Sequence, residues 1–249
     1  MLQTIPSPEA SAWLGRMGTL GVRLACDEAD IAAAQALRAR VFGRARDADA
    51  FDAACDHIVV ETADGAIVAT CRLLPQGHGR QSYVATEYDV AGLYARHRDL
   101  RFLELGRSCV APDWRTKRVM ELLWHGTWAY VVRGGFDVML GCASLPGTVP
   151  DRPLLAALRA MARAPEGWRV HALDGRGIAM EGEPLPPRET IRRLPPLVKG
   201  YLRLGAHVGE EAVIDLDFGT TDVLIVLRRD RIAPRYLDHF GADASRYRV

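Results

Sequence analysis

Phe102 to Val110 is a run rich in β-formers that passes through Ala111-Pro112-Asp113-Trp114-Arg115 into helical spacing from about Lys117 to Arg133, where Gly134-Gly135 ends it. A strand feeding a tight basic loop and then a helix N-terminus calls for a sheet with helices packed on it. A further strand is predicted at once, over Phe136 to Leu145. Upstream, Asp27 followed by Asp30 reads as a capping signal. Ile31, Ala34, Leu37 and Val41 then recur at helical spacing, predicting a helix from about Glu28 to Gly43. His57 to Glu61 and Ile67 to Leu74 flank the turn pair Asp64-Gly65 and predict a β-hairpin. Pro153 to Met161 predicts a helix, and Ala212 to Phe218 and Asp222 to Arg228, joined by Gly219-Thr220-Thr221, predict two more strands. The order α-ββ-β-α-β-α-ββ is an α/β layout around one mixed central sheet flanked by helices. It is read as a single domain over residues 1–249, with an N-terminal segment to residue 20 and an irregular excursion from 164 to 193.

Composition narrows what such a domain can do. A net charge of +1 with 25% charged residues gives no bulk reason to bind nucleic acid. Five cysteines, odd in number and without a C-x-x-C pair, argue against a disulfide framework and a zinc ribbon. The histidines form no H-x-x-x-H and no cluster with cysteine, so neither a metal nor a redox cofactor is expected. No secretory signal or apolar run long enough to span a bilayer is seen, which points to the cytoplasm. Ala10, Trp13, Leu14, Met17 and Leu20 lie at helical spacing and could rest on the inner face of a membrane, although such a stripe more often packs on the core.

Arg115, Lys117 and Arg118 gather positive charge where a helix N-terminus exposes backbone N–H groups, a geometry that attracts a phosphate or pyrophosphate. This strand, loop and helix resemble the acyl-donor segment of the GNAT-like acyltransferases. Where many of those show R/Q-x-x-G-x-G/A, this chain has Arg115-Thr116-Lys117-Arg118-Val119-Met120, which favours a carrier-protein donor. Arg38-x-x-x-Phe42, Asp52 and Asp56, Arg72-Leu73-Leu74-Pro75 and Glu104-x-x-Arg107 follow an order similar to that of the acyl-homoserine-lactone synthases, with the aspartates four apart rather than three. Cys55-Asp56-His57, Glu104 to Val110, Gly141 to Thr148, Leu194 to Ala206, Thr220 to Val223 and His239-Phe240-Gly241 together resemble the bacterial ornithine N-acyltransferases of ornithine-lipid synthesis, over most of the chain from about Val22 to Gly241.

The resemblance implies transfer of a 3-hydroxylated acyl group from acyl carrier protein to the α-amine of ornithine, giving lyso-ornithine lipid. A lactone synthase and a non-catalytic carrier-binding module are the alternatives. Forming an amide from a thioester requires an uncharged amine, a place for the oxyanion and a path for the proton. Glu104 is the candidate proton acceptor with Arg107 beside it; the plainer alternative is an ion pair of Glu104 with Arg107 or Arg72. Gly106 suits a bulge that would turn Glu104 and Arg107 to one side and expose an oxyanion donor near Val110. Arg38 and Arg72, with Phe42, are assigned to the acceptor and its carboxylate, and Asp56 or Asp222 to its side-chain amine. Val110, the Arg115 to Val119 turn and Cys142 are assigned to the acyl-pantetheine arm. Cys109 and Cys142 lack a histidine at partner spacing and read as packing rather than as nucleophiles.

Overall fold

The computed structural model of the protein describes residues 13–76, 82–240 and Tyr247. In chain order its elements begin with β1 (Gly15–Met17), β2 (Leu20–Leu24), α1 (Glu28–Phe42), β3 (Asp56–Glu61), β4 (Ile67–Pro75), α2 (Ala91–Arg96), β5 (Phe102–Val110) and α3 (Lys117–Gly134). There follow β6 (Val138–Pro146), α4 (Arg152–Ala162), β7 (Ile178–Ala179), α5 (Pro187–Arg193), α6 (Pro196–Arg203), β8 (His207–Asp215), β9 (Thr220–Arg228) and α7 (Pro234–Phe240). The chain divides into two compact units. The first takes its residues from Met1–Pro75, Leu105–Phe136 and Pro234–Val249, the second from Gln76–Glu104 and Asp137–Ala233.

In the first unit the strands run in the order β1-β2-β3-β4 and on to the Leu105–Val110 part of β5. Gly65 turns the β3–β4 hairpin with φ 85°, a conformation open to glycine, and Thr62 closes the loop by bonding Asp64 and Ala66. Helix α1 starts where the Asp27 side chain accepts from the Asp30 N–H and stops at left-handed Gly43. Helix α3 is capped in the same way by Thr116 and Gly135. It lies on β1, β2 and β3 so closely that a Cβ on Gly126 would stand 2.4 Å from Val22 Cγ2.

The helical spacing expected for the N-terminal stripe is corrected here. Trp13 to Leu24 forms the β1–β2 hairpin, turned by Gly18 at φ 63°, with Leu14 and Leu20 buried; Ala10 lies outside the described residues. Two short runs broken at Gly18-Thr19 satisfy their backbone by pairing with each other and with β3, so the 3.6-residue spacing was coincidental. Among the described residues no helix is long and apolar enough to cross a membrane.

In the second unit the order is β5 (its Phe102–Glu104 part)-β6-β9-β8-β7. β5 and β6 are parallel and all other pairs antiparallel, giving the expected mixed sheet. β6 pairs with β9 along its whole length, whereas its ladder with β5 covers only Phe102↔Val138, Leu103↔Met139 and Glu104↔Leu140. The core gathers Tyr88, Leu93, Phe102, Leu140, Trp168, Val170, Leu224 and Val226. Trp168 and Val170 come from the stretch read as an irregular excursion, which also holds β7 and α5. Short elements there lack a usable period, so pattern could not reveal that they carry core side chains.

Candidate active site

The second unit assembles a group of buried acids around Glu104. One Glu104 oxygen accepts from Ser82 Oγ at 2.5 Å and Gln76 Nε2 at 3.2 Å, the other from the Tyr83 backbone N–H at 3.1 Å. Tyr83 also donates through its hydroxyl to Asp215 at 3.0 Å. Glu87 is 2% exposed, and burial, reinforced by the charges of Asp222 and Asp215 and opposed by a bond from Cys142, pushes its carboxyl up to about 7. The Cys142 thiol donates to Glu87 Oε2 at 3.1 Å, and burial and then the charge of Glu87 hold it well above its ordinary value. Asp222, 3% exposed, accepts from Thr220 Oγ1 at 2.7 Å, and its backbone carbonyl accepts from the Tyr88 hydroxyl at 3.0 Å.

Donor-type atoms of Glu87, Cys142 and Asp222 lie within 4.8 Å of one another. A thiol that keeps its proton and donates a hydrogen bond to Glu87 is a poor metal ligand, so the trio suits an ammonium better than a metal ion. A cation entering the group would pull Glu87 into its charged form.

The first unit holds a separate network of ion pairs. Arg38, 0% exposed, donates Nε to Asp47 at 3.0 Å, Nη1 and Nη2 to Asp52 at 2.9 and 2.7 Å, and Nη2 to the Asp47 carbonyl at 2.7 Å. Arg72 Nη1 reaches Asp49 at 2.6 Å and Asp52 at 3.1 Å, and Arg107 reaches Asp49 at 3.4 Å and Asp47 at 3.5 Å. Burial would raise the Asp52 carboxyl, but Arg38 and then Arg72 hold it well below the usual carboxylate range. Burial, countered by Asp52 and reinforced by Arg38 and Arg72, pushes the His57 imidazole down, and its Nε2 meets the Asp52 carbonyl at 3.2 Å.

Three expectations change in this unit. Arg38 and Arg72 were assigned to an acceptor carboxylate, but aspartates of the same unit engage both guanidinium groups and leave them almost no exposed surface. The acidic pair is Asp49 and Asp52, three apart; Asp56 instead accepts from the Tyr130 hydroxyl at 2.5 Å. The Asp49-x-x-Asp52 spacing was readable, but only the fold shows that Asp49 reaches Arg72. The backbone strain in β5 sits at Arg107, directly after the Gly106 expected to carry a bulge: Arg107 has φ 51°, the non-glycine residue with positive φ among those described. The left-handed region costs an L-residue roughly 1–2 kcal/mol, so the Asp47 and Asp49 contacts must outweigh that strain.

Within its own unit Glu104 is held by the three donors above, while in the first unit Arg72 and Arg107 are engaged by Asp47, Asp49 and Asp52. Phe42 packs beside Leu37, Cys109 and Ala111, where burial pushes the Cys109 thiol up to about 12 and makes it inert. Arg115, Thr116, Lys117 and Arg118 are exposed at the α3 N-terminus, above buried Val119. Arg115 Nε meets the Val110 carbonyl at 3.4 Å, and Lys117 pairs with Glu121 at 3.5 Å. Sequence reasoning missed Ser82, Tyr83, Glu87 and Asp215 as members of this group; none sits in a motif, and only hydrogen bonding and burial in the fold bring them together.

The family described as acetyltransferase (GNAT) domain matches residues 32–125. The chain is 45% identical over 265 residues to the L-ornithine N(alpha)-acyltransferase of Rhizobium meliloti (strain 1021), covering 96% of this chain and 90% of that one. It is 47% identical over 264 residues to the enzyme of the same name from Brucella abortus (strain 2308), covering 94% and 93%. The structure of an N-acyl amino acid synthase from uncultured soil microbes shares the fold, with a TM-score of 0.50 at 10% identity over 84% of this chain and 90% of that one. With a mixed sheet flanked by helices and relatives at this identity over nearly its whole length, the chain belongs to the L-ornithine N(alpha)-acyltransferase family of GNAT-type enzymes.

Proposed function

We propose that the protein moves a 3-hydroxylated fatty acyl group from acyl carrier protein to the α-amine of ornithine, giving lyso-ornithine lipid. The observation that carries the reading is the buried acidic group of the second unit, built around a Glu104 whose two oxygens are oriented by Ser82, Tyr83 and Gln76. Glu104 takes the proton from the α-ammonium, and the freed amine attacks the thioester carbonyl. The tetrahedral intermediate then expels the pantetheine sulfur, which takes the proton back from Glu104 and leaves as a thiol, and the freed Glu104 accepts the second proton from the attacking nitrogen and passes it to solvent. Glu87, Asp222 and Asp215 hold the second, side-chain ammonium of ornithine, a role that neutral or acidic amino acids could not fill.

In the first unit, the α3 N-terminus with Arg115, Thr116, Lys117, Arg118 and Val119 takes the phosphodiester of the carrier's arm. Val110, which ends β5 in the same unit, belongs with this phosphopantetheine segment. The Arg38, Arg72 and Arg107 network positions β4 and β5 rather than touching the acceptor. We place the enzyme in the cytoplasm, where acyl carrier protein is available, with its lipid product passing to the inner face of the membrane.

The test is mass spectrometry of lipids from a host that lacks aminolipids, expressing the wild type or Glu104→Gln. A mono-acylated ornithine made by the wild type and lost in the variant is expected; no acylated amino acid from the wild type would overturn the reading. Purified enzyme offered acyl carrier protein or coenzyme A thioesters of one chain length is expected to prefer the carrier.

A further inference from the structure

The second unit contains a cavity of about 370 Å³ between the end of α4 and the loop from Met180 to Pro184, lined by none of the acids around Glu104. Arg159, on the last turn of α4, and Arg163, just past it, both border the cavity. Both turn toward Glu210 of β8, a carboxylate that is 7% exposed. Arg159 donates Nη2 to Glu210 at 2.9 Å, Arg163 makes two long bonds at 3.4 and 3.5 Å, and Arg169 approaches at 3.6 Å. Three guanidinium groups thus share one carboxylate.

Each guanidinium offers five N–H donors, far more than two oxygens can accept. The surplus is visible at Arg159, whose Nε is buried with no hydrogen-bond partner. The guanidinium donors of Arg159 and Arg163 that Glu210 does not take are left for an acceptor in the cavity that both residues border. The cavity walls leave room for one. Ala156 and Ala160 are small, and Gly182, at φ 130°, has nothing near its missing Cβ. Exposed Glu181 on the wall limits the space to a compact anion that can stay on the arginine side.

We propose that this cavity is an oxyanion site for a compact phosphate-class group, either a free small molecule or the headgroup of an anionic lipid, bound by Arg159 and Arg163. Paired arginines bind such oxygens through parallel N–H bonds that a lysine could not supply.

Phosphorus NMR titration of inorganic phosphate into the full chain at constant ionic strength tests it, with thermal unfolding followed in parallel. Saturable binding is expected, with a stabilisation that grows with phosphate as mass action requires. Ala160→Glu places a competing carboxylate in the cavity and leaves the Glu210 pairs intact; it is expected to weaken phosphate at least tenfold while unfolding as cooperatively as the wild type. Arg163→Gln, which removes the longer-bonded guanidinium, is expected to weaken it less. Binding to vesicles of phosphatidylglycerol in phosphatidylcholine that phosphate displaces, and that Ala160→Glu loses, would assign the site to a headgroup; phosphate binding without vesicle binding would assign it to a free small molecule. No saturable phosphate binding, or equal binding by Ala160→Glu, would overturn the proposal.

Discussion

Glu104 and Glu87 share a buried acidic neighbourhood but differ in how they are held, and so in what their removal should do. Glu104 is gripped by three donors, and Glu104→Gln keeps its shape while removing its basicity. Its kcat is expected to fall by ~10²–10⁴, the usual contribution of a positioned base, with thermal stability little changed. Burial pushes the Glu87 carboxyl up to about 7. A cationic acceptor binds its charged form, so the KM for ornithine is expected to fall as pH rises through neutrality in the wild type. In Glu87→Gln that pH dependence should vanish, and steady-state kinetics across pH 6 to 8, about one unit either side of the Glu87 value, would show it. Arg107 offers a different kind of test, since its left-handed backbone is strained for any side chain with a Cβ. Arg107→Ala and Arg107→Gly both lose the aspartate contacts, but only the glycine relieves the strain. Denaturant melts should therefore find the glycine variant more stable than the alanine one by about 1 kcal/mol.

Among the elements, α3 depends on the absence of a side chain at Gly126, where the helix meets Val22 of β2. A methyl group there would normally favour the helix by up to ~1 kcal/mol. Here it would stand 2.4 Å from a valine that is 0% exposed, so the helix and hairpin must separate. Gly126→Ala is expected to destabilise by ~1–3 kcal/mol, the usual penalty of overpacking, and chemical denaturation would measure it. The ion network between α1, β4 and β5 is equally demanding. Its charges are balanced as three arginines against Asp47, Asp49 and Asp52, so removing one arginine leaves a buried excess of negative charge that the other two cannot neutralise. Loss of Arg38 is therefore more damaging than an exposed helix arginine would suggest, on the order of 3–5 kcal/mol for Arg38→Met.

For the whole molecule these groups shape stability against pH from opposite sides. Asp52 has a depressed folded pKa, so its contribution is present above its ordinary 3.8 and is lost as pH falls below it. Glu87 has a raised folded pKa, so its contribution is present below its ordinary 4.5 and is lost as pH rises toward about 7. Thermal melts are thus expected to peak at mildly acid pH, and Glu87→Gln should flatten the fall on the neutral side.

The sequence by itself determined the class of fold and the elements whose signals are local. Helix α1 is announced by Asp27 and closed by Gly43, α3 is bounded by Thr116 and Gly135, and the β3–β4 turn is written in Asp64-Gly65. Capping and turn chemistry act over a few residues, which is why they can be read from spacing. The resemblance to ornithine acyltransferases was legible for the same reason, resting on contiguous stretches such as Leu194 to Ala206. Tertiary structure decided the rest. Arg72 takes Asp49 from 23 residues away, and Glu104 takes Ser82 from 22. Glu87 owes its shift to burial and to acids more than a hundred residues further along the chain. Desolvation and Coulomb interaction depend on distance through space and on exclusion of water, and neither quantity is carried by spacing along the chain.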